Sequence, residues 1–366
     1  MAERVALYDL SHRQLTELLM DWGEPPFRAD QVWQWLYRSL AGDYESMGNL
    51  PAALRARLAA EADLTLLTPV AEQVSATGQT HKVLFRLRDG NTVESVLMHY
   101  HDRRTACIST QVGCGMGCNF CATGQGGLSR NLSAGEIVAQ VVHFARKIRE
   151  TAIEQAEASG TRAPLEIHPV TNVVLMGMGE PLANLKATWQ AIETLTDERG
   201  YNLGARRITL STVGLAPGIR RLAEESLPIN LAVSLHAADD ELRNQLVPIN
   251  RRYPLSELMD AVHGYAESTR RRVTIEYALI AEVNDTPQQA QKLAELLHGL
   301  LCHVNLIPLN PTPGSSLRPS PRERVDAFRD ELDQAGTPAT VRMRRGIDIE
   351  AGCGQLRQRQ TDNAIQ

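Results

Sequence analysis

Lysine is nearly missing from this chain: of 38 basic residues, four are Lys and 34 are Arg. A GC-rich coding sequence is the plain reading of that bias. The functional reading is a need for guanidinium groups that fork onto phosphates and stack on rings. Basic residues are also outnumbered, which leaves a net charge of -5. That excludes a histone-like polycation, but not a nucleic-acid site on one face. Long apolar runs are absent, so no membrane span is expected. The opening stretch MAERVALYDLSHRQ has no apolar core before a small-residue cleavage site, which predicts a cytoplasmic chain without a signal peptide. Aromatics are thin at 5%, yet 43% of residues are apolar, enough for a sizeable core and too many for a disordered chain. The length of 366 residues suggests two or three domains, or one α/β barrel with additions.

Cysteine is sparse and uneven: Cys107, Cys114, Cys118, Cys121, Cys302 and Cys353. Three crowd into eight residues. A secreted disulfide framework would need a smaller chain and spread pairs, so the cluster reads as a metal site in a reducing cytosol.

The pattern along the chain changes twice. Residues 1–70 read as a small helical unit, with runs at LTELLMDWG, FRADQVWQWLYRSL and PAALRARLAAEA. Trp33, Trp35 and Tyr37 tempt a nucleic-acid reading, but their spacing suits a core. Residues 71–103 carry a β-hairpin, VLFRL and TVESVLMHY around Asp89-Gly90-Asn91. From about 104 to 345, apolar strands at 105–109, 172–176, 207–211, 231–235, 273–280 and 303–309 alternate with helices. The first helix is expected over 133–150, opened by a Ser133/Glu136 capping box. Residues 154–168 read as a surface insertion. Six β–α units imply a parallel sheet, either a partial barrel or an open doubly wound sheet.

Reactive residues of such arrays collect at the carboxyl ends of the strands. The cysteine loop follows the first strand there, and Gly177-Met178-Gly179-Glu180-Pro181 follows the second. Ser211-Thr212, Ser234-Leu235-His236, Asn284-Asp285-Thr286 and Asn310-Pro311 end the others. Cys114, Cys118 and Cys121, at x₃ and x₂ spacing, can hold three irons of a 4Fe–4S cubane and leave one iron open. A zinc site with Cys107 as fourth ligand is the competing reading. It would make the chain a colourless, non-catalytic RNA-binding protein.

CxxxCxxC with Phe120 before the last Cys resembles the signature of radical S-adenosylmethionine (SAM) enzymes. The stretches STQVGCGMGCNFCATGQGGLSRNLSAGEI, VVLMGMGEPLAN, LSTVG, AVSLHA, IPLNPTPG and RRGIDIEAGCGQL, in that order, resemble the RlmN-type RNA adenine-C2 methyltransferases. The resemblance implies a partial (β/α)₆ barrel with a helical N-terminal RNA-binding domain, a connecting hairpin, and a segment 346–366 carrying the reactive thiol. It implies that Cys114, Cys118 and Cys121 carry the cluster. Gly179, Glu180, Ser211, Ser234, Leu235, His236 and Asn310 would bind SAM. Two SAM molecules would be used per turnover. Cys353 would become an S-methylcysteine, Cys107 would form a transient disulfide with it, and Glu94 would be a proton acceptor. Cys302 matches no role and reads as a buried thiol.

The implied substrates are adenine 2503 of 23S rRNA and adenine 37 of tRNA. The implied partner is a low-potential flavodoxin- or ferredoxin-type donor, and the chain is expected to be a monomer. A Cfr-type carbon-8 methyltransferase is the near alternative. Arg103-Arg104, Arg206-Arg207, Arg251-Arg252, Arg270-Arg271-Arg272 and Arg344-Arg345 are the candidate RNA contacts.

Overall fold

The computed structural model describes residues 4–161, 169–312, 315–342 and 345–357. In the N-terminal unit, β1 (Val5–Ala6) leads into α1 (His12–Asp21), α2 (Phe27–Tyr37) and α3 (Ala52–Glu61). The unit closes with β2 (Ala62–Asp63), which pairs in parallel with β1. A capping box starts α1: Ser11 accepts from the Gln14 amide and Gln14 answers the Ser11 amide. Trp33 and Tyr37 are core, and Trp35 is half-buried against it.

The expected hairpin has a third strand. β3 (Leu67–Val74), β4 (Thr80–Leu87) and β5 (Thr92–His99) form an antiparallel meander that continues into β6 (Arg104–Cys107). A separate ribbon of β7 (Gln111–Gly113) and β8 (Leu128–Asn131) brackets the cysteine loop and α4 (Ala122–Gln125). Then α5 (Ala134–Ser159) opens with the expected Ser133/Glu136 capping box. It runs past 150 through TAIEQAEAS, a polar stretch rich in helix-forming Ala, Glu and Gln. Residues 154–159, expected in a surface insertion, therefore belong to the helix. Residues 162–168 of that insertion lie outside the described residues.

The remaining strands are β9 (Asn172–Leu175), β10 (Ile208–Thr212), β11 (Asn230–Ser234), β12 (Val273–Leu279), β13 (Cys302–Pro308) and β14 (Ala339–Val341). Between them come α6 (Leu185–Thr196), α7 (Ala216–Leu222), α8 (Asp240–Leu246), α9 (Leu255–Thr269), α10 (Pro287–Leu296) and α11 (Arg322–Gln334). β6 and β9 to β14 pair in parallel, each with the next in the chain. A doubly wound sheet would reverse its strand order; this one never does, which is the winding of a partial barrel. β14 is a seventh parallel strand, too short to read from the sequence.

Past β14 the chain returns to the meander. The Ala76 amide donates to Asp348 at 2.8 Å, Lys82 donates to the Glu350 carbonyl at 3.3 Å, and the Arg357 amide donates to Glu94 at 2.9 Å. This strap of residues 345–357 links the two ends of the open sheet.

Candidate active site

The ribbon fixes the cysteine loop at its root. Cys114 N–H donates to Gly127 O at 2.7 Å, and Cys121 N–H to Cys118 O at 3.2 Å. Cys114 and Cys118 are buried and Cys121 is half-buried. All three line a cavity at the carboxyl ends of the parallel strands, with an empty volume of about 1040 Å³. Burial pushes the Cys114 thiol up to about 12 and Cys118 higher still. Any metal centre bound by these thiols would have to displace their protons.

Gly179, Glu180, Ser211, Ser234, His236 and Asn310 line the same cavity. Leu235 does not: it is fully buried, and it acts through its backbone, accepting from Arg243 at 3.0 Å. Gly177 has no room for a side chain, since a Cβ would lie 2.7 Å from the Ile108 carbonyl. Gly179 has φ +103°, outside the range of L side chains, and a Cβ would lie 2.6 Å from Gln111. The GMGEP turn is thus packed on the strand beside it, which holds Glu180 in place.

Glu180 is buried and accepts from the amides of Val213 at 2.8 Å and Leu182 at 3.0 Å. Burial nevertheless pushes its carboxyl up to about 7. A cationic ligand there would restore the charge. His236 has φ +63°. Its Nδ1 accepts from the Ala278 amide at 3.0 Å, which assigns the proton to Nε2. Burial, with Arg243 nearby, lowers it to about 3, so the ring is a neutral donor. Phe120 meets it edge-on at 4.8 Å. Ser211 and Ser234 lie 3.4 Å apart on adjacent strands. Asn310 Oδ1 is buried with no hydrogen-bond partner among the described residues. Unpartnered oxygen, a buried carboxylate and serine hydroxyls suit a zwitterionic ligand with a ribose.

Cys353 is exposed on the strap. Its carbonyl accepts from Asn310 at 3.1 Å, and the Gly354 carbonyl accepts from Ala122, next to Cys121, at 2.8 Å. It lines the cluster-loop cavity and a second one of about 600 Å³. Cys107, not part of the first lining, faces the second. Burial pushes Cys107 up to about 12, and the Cys353 sulfur adds to the rise. Among the described residues no three His, Cys, Asp or Glu are gathered around a single-ion site. Cys107 opens into a different chamber from the loop thiols, which weighs against its being a fourth zinc ligand.

Glu94 lines neither cavity among the described residues. It is buried beside Lys82 at 3.6 Å and holds the strap through Arg357. Cys302 is a buried thiol, pushed up to about 11 by burial. Of the arginine pairs, Arg103 and Arg345 converge: each guanidinium stacks on Tyr100 at 4.3 Å. Arg344 lies outside the described residues. Arg206, Arg207, Arg251 and Arg252 are exposed.

Two residues escape a reading of the sequence. Arg243, fully buried, ties together the strand ends by donating to Leu235 O, Val213 O and Asn250. Arg342 lines both cavities. Only its place just past a strand could have signalled it.

A partial barrel with a three-cysteine loop at its carboxyl rim defines a radical SAM enzyme, and residues 108–297 match the Radical SAM superfamily. Residues 5–64 match the Ribosomal RNA large subunit methyltransferase N-terminal domain. The chain is 53% identical over 360 residues to a probable dual-specificity RNA methyltransferase RlmN of Chloroflexus aurantiacus, covering 97% of this chain and 93% of that one. It is 51% identical to dual-specificity RNA methyltransferase RlmN 1 of Myxococcus xanthus, covering 96% and 94%. The crystal structure of a radical SAM methyltransferase from Sphaerobacter thermophilus superposes with a TM-score of 0.89 at 53% identity, over 96% of this chain and 99% of that one. The chain belongs to the RlmN family of RNA methyltransferases, within the radical SAM superfamily. Its membership carries the use of a 4Fe–4S cluster and of SAM. Among the described residues no helix is long and apolar enough to cross a membrane.

Proposed function

We propose that this chain methylates carbon 2 of adenine 2503 in 23S rRNA and of adenine 37 in tRNA, with Cys353 as the methyl carrier. The observation that carries this reading is that Cys353 lines two chambers at once, one with the cysteine loop and one with Cys107. Carbon 2 of adenine is electron-poor and has no lone pair, so a carrier sulfur is needed. Cys114, Cys118 and Cys121 hold the cluster by three thiolates. Cluster and SAM, when bound there, would supply one-electron reductive chemistry and hydrogen abstraction. The other tasks belong to the protein. Glu180 takes the SAM ammonium, while Ser211, Ser234, His236 and Asn310 hold its ribose and carboxylate. Cys353 accepts a methyl group by displacement and presents it to the base. Cys107 attacks the Cys353 sulfur: the S–S bond forms as the bond from that sulfur to the transferred carbon breaks, and the pair left on carbon takes a proton to complete the methyl group on the released RNA, while Glu94 serves as proton acceptor. Two SAM molecules are used per turnover. A flavodoxin- or ferredoxin-type donor supplies electrons to a cytoplasmic monomer.

Residues 1–70 form an RNA-binding accessory domain in this reading, and Arg103 and Arg345, stacked on Tyr100, suit RNA. The target base leaves its stack, at a cost of a few kcal/mol. The names of the relatives favour carbon 2 over the Cfr-type carbon 8. Mass analysis of adenosines from treated RNA tests the reading: 2-methyladenosine is expected, and 8-methyladenosine overturns it. Cys353→Ala is expected to stop methylation with iron content unchanged.

A further inference from the structure

The first cavity holds one carboxylate that no task above uses. Glu276 lies on β12, is 4% exposed, and lines the cavity together with the cysteine loop and Cys353. Its Oε2 is buried with no hydrogen-bond partner among the described residues. An acceptor buried and left unpaired is costly, so it marks a place where a ligand's donor fits.

Two ligands reach this cavity in the reading above, SAM and the target base. The direction of the Glu276 side chain separates them. Glu276 pairs in register with Ser234 of β11, but Ser234 faces Ser211 instead, at 3.4 Å. Glu276 reaches the other way: Oε1 accepts from Asn305 of β13 at 3.1 Å, and Oε2 lies 4.0 Å from the Arg342 guanidinium, just past β14. The serine pair suits the SAM ribose. The carboxylate stands beside the wall that Arg342 shares with the chamber of Cys353 and Cys107. Arg342 has five N–H donors, and among the described residues its side chain meets only Glu276 and the Met176 sulfur, at 4.0 Å. An open acceptor beside open donors complements the edge of adenine on which the 6-amino donor neighbours the N7 acceptor. A base held by that edge leaves carbon 2 unobstructed.

We propose that Glu276 is a specificity residue for the target base, its Oε2 accepting a hydrogen bond from the 6-amino group of the flipped adenine. The proposal rests on the adenine-methylation reading above. The other polar groups of the lining have partners or a neutral character. Glu180 accepts from two backbone amides, and His236 Nδ1 accepts from Ala278. Asn310 Oδ1 is also unpartnered, but a carboxylate is the stronger acceptor for an amine. Purine has no donor at position 6, so it would leave Oε2 buried and unpaired. Hypoxanthine carries an oxygen there, which sets two acceptors against each other.

The test is the affinity of cluster-loaded protein, without SAM, for a tRNA anticodon stem-loop bearing adenine, purine or hypoxanthine at position 37, read by fluorescence anisotropy. Wild type is expected to bind the adenine loop about tenfold more tightly than the purine loop, and the hypoxanthine loop more weakly still. Glu276→Gln keeps an oxygen for Asn305 and adds N–H donors, so it is expected to bind the hypoxanthine loop at least as well as the adenine loop. Glu276→Leu should not distinguish adenine from purine. Glu276→Gln, nearly the same shape as the native side chain, decides alone if Glu276→Leu does not fold. Near-wild-type SAM affinity by calorimetry shows that each variant keeps an intact cavity. Equal binding of adenine and purine loops by wild type, or the wild-type order kept in Glu276→Gln, overturns the proposal. Lost SAM affinity with the base order unchanged assigns the carboxylate to SAM and overturns it too. Formation of 8-methyladenosine, or RNA methylation by Cys353→Ala, would instead overturn the reading beneath it. Base discrimination is read by binding alone, so the two failures are distinguishable.

Discussion

Replacing Glu94 by Gln removes one charge from a pair buried on both sides, with side-chain exposures of 1% for Glu94 and 3% for Lys82. Gln keeps an oxygen for the Arg357 amide, so the strap contact survives and the charge alone is tested. Lys82 would be left as a buried ammonium facing a neutral amide. Breaking a buried pair this way costs about 3–5 kcal/mol. With a urea slope of about 3 kcal/mol/M, the unfolding midpoint should fall by roughly 1–1.7 M. Replacing both partners with apolar residues of similar volume, Lys82→Met with Glu94→Leu, should return stability to within about 1.5 kcal/mol of wild type, because no buried charge is left. Urea unfolding followed by circular dichroism on wild type, Lys82→Met, Glu94→Leu and their double variant measures the coupling. A wild-type midpoint for Glu94→Gln, or a double variant as unstable as the sum of the singles, would refute this reasoning. The activity test belongs to Glu94→Gln, which keeps the strap contact. If Glu94 is the proton acceptor, that protein, folded in the absence of urea, does not methylate RNA; full activity would remove Glu94 from the reaction.

Three further outcomes are expected. Glu180 stands at about 7 because of burial, so it is mostly charged at pH 8 and mostly neutral at pH 6. SAM binding, measured by calorimetry on the cluster-loaded enzyme, should weaken about tenfold across that interval, and Glu180→Gln should be weak and flat. A pH-independent affinity in the wild type would contradict the ammonium assignment. The stability term has a consistent sign: this raised carboxyl favours the folded state most at low pH, and the benefit is lost as pH rises from the ordinary carboxylate value through 7. Cys118→Ala should abolish cluster binding, because two thiols cannot hold the cubane. Iron counting after anaerobic reconstitution checks it, and wild-type iron would sink the ligand set. Cys107→Ala should trap enzyme on RNA as a band stable to denaturation. Loss of metal without adduct would make Cys107 a ligand instead.

The strands were legible because buried parallel strands are nearly continuous in Val, Ile and Leu, and because the carboxyl-end rule then assembled the rim. Glu180, Ser211, Ser234, His236 and Asn310 do meet the cysteine loop around one cavity. Short elements were not legible. β14 has three residues and α7 and α8 seven each, below the length at which periodicity shows. The extension of α5 was hidden by its polarity. Leu235 acts through its backbone, which no side-chain argument reaches. Arg342 and Arg243 resemble any of the other guanidinium-bearing residues until the fold gives them partners. The burial of Glu94 depends on strand register: Leu84 pairs with Glu94 and Lys82 with Val96, so the two charges share one face beneath the strap.

The sheet adds its strands in chain order, so each pairing closes a loop much shorter than the chain and can form progressively as the chain folds. The strap is the opposite case: its hydrogen bonds to Ala76, Lys82 and Glu94 join residues 272, 268 and 263 positions apart. Closing such loops carries roughly 3–4 kcal/mol more chain entropy than closing a tight hairpin. Those contacts require both ends of the sheet to be in place, so Cys353 is seated by contacts that close late, over the parallel strands already paired beneath it.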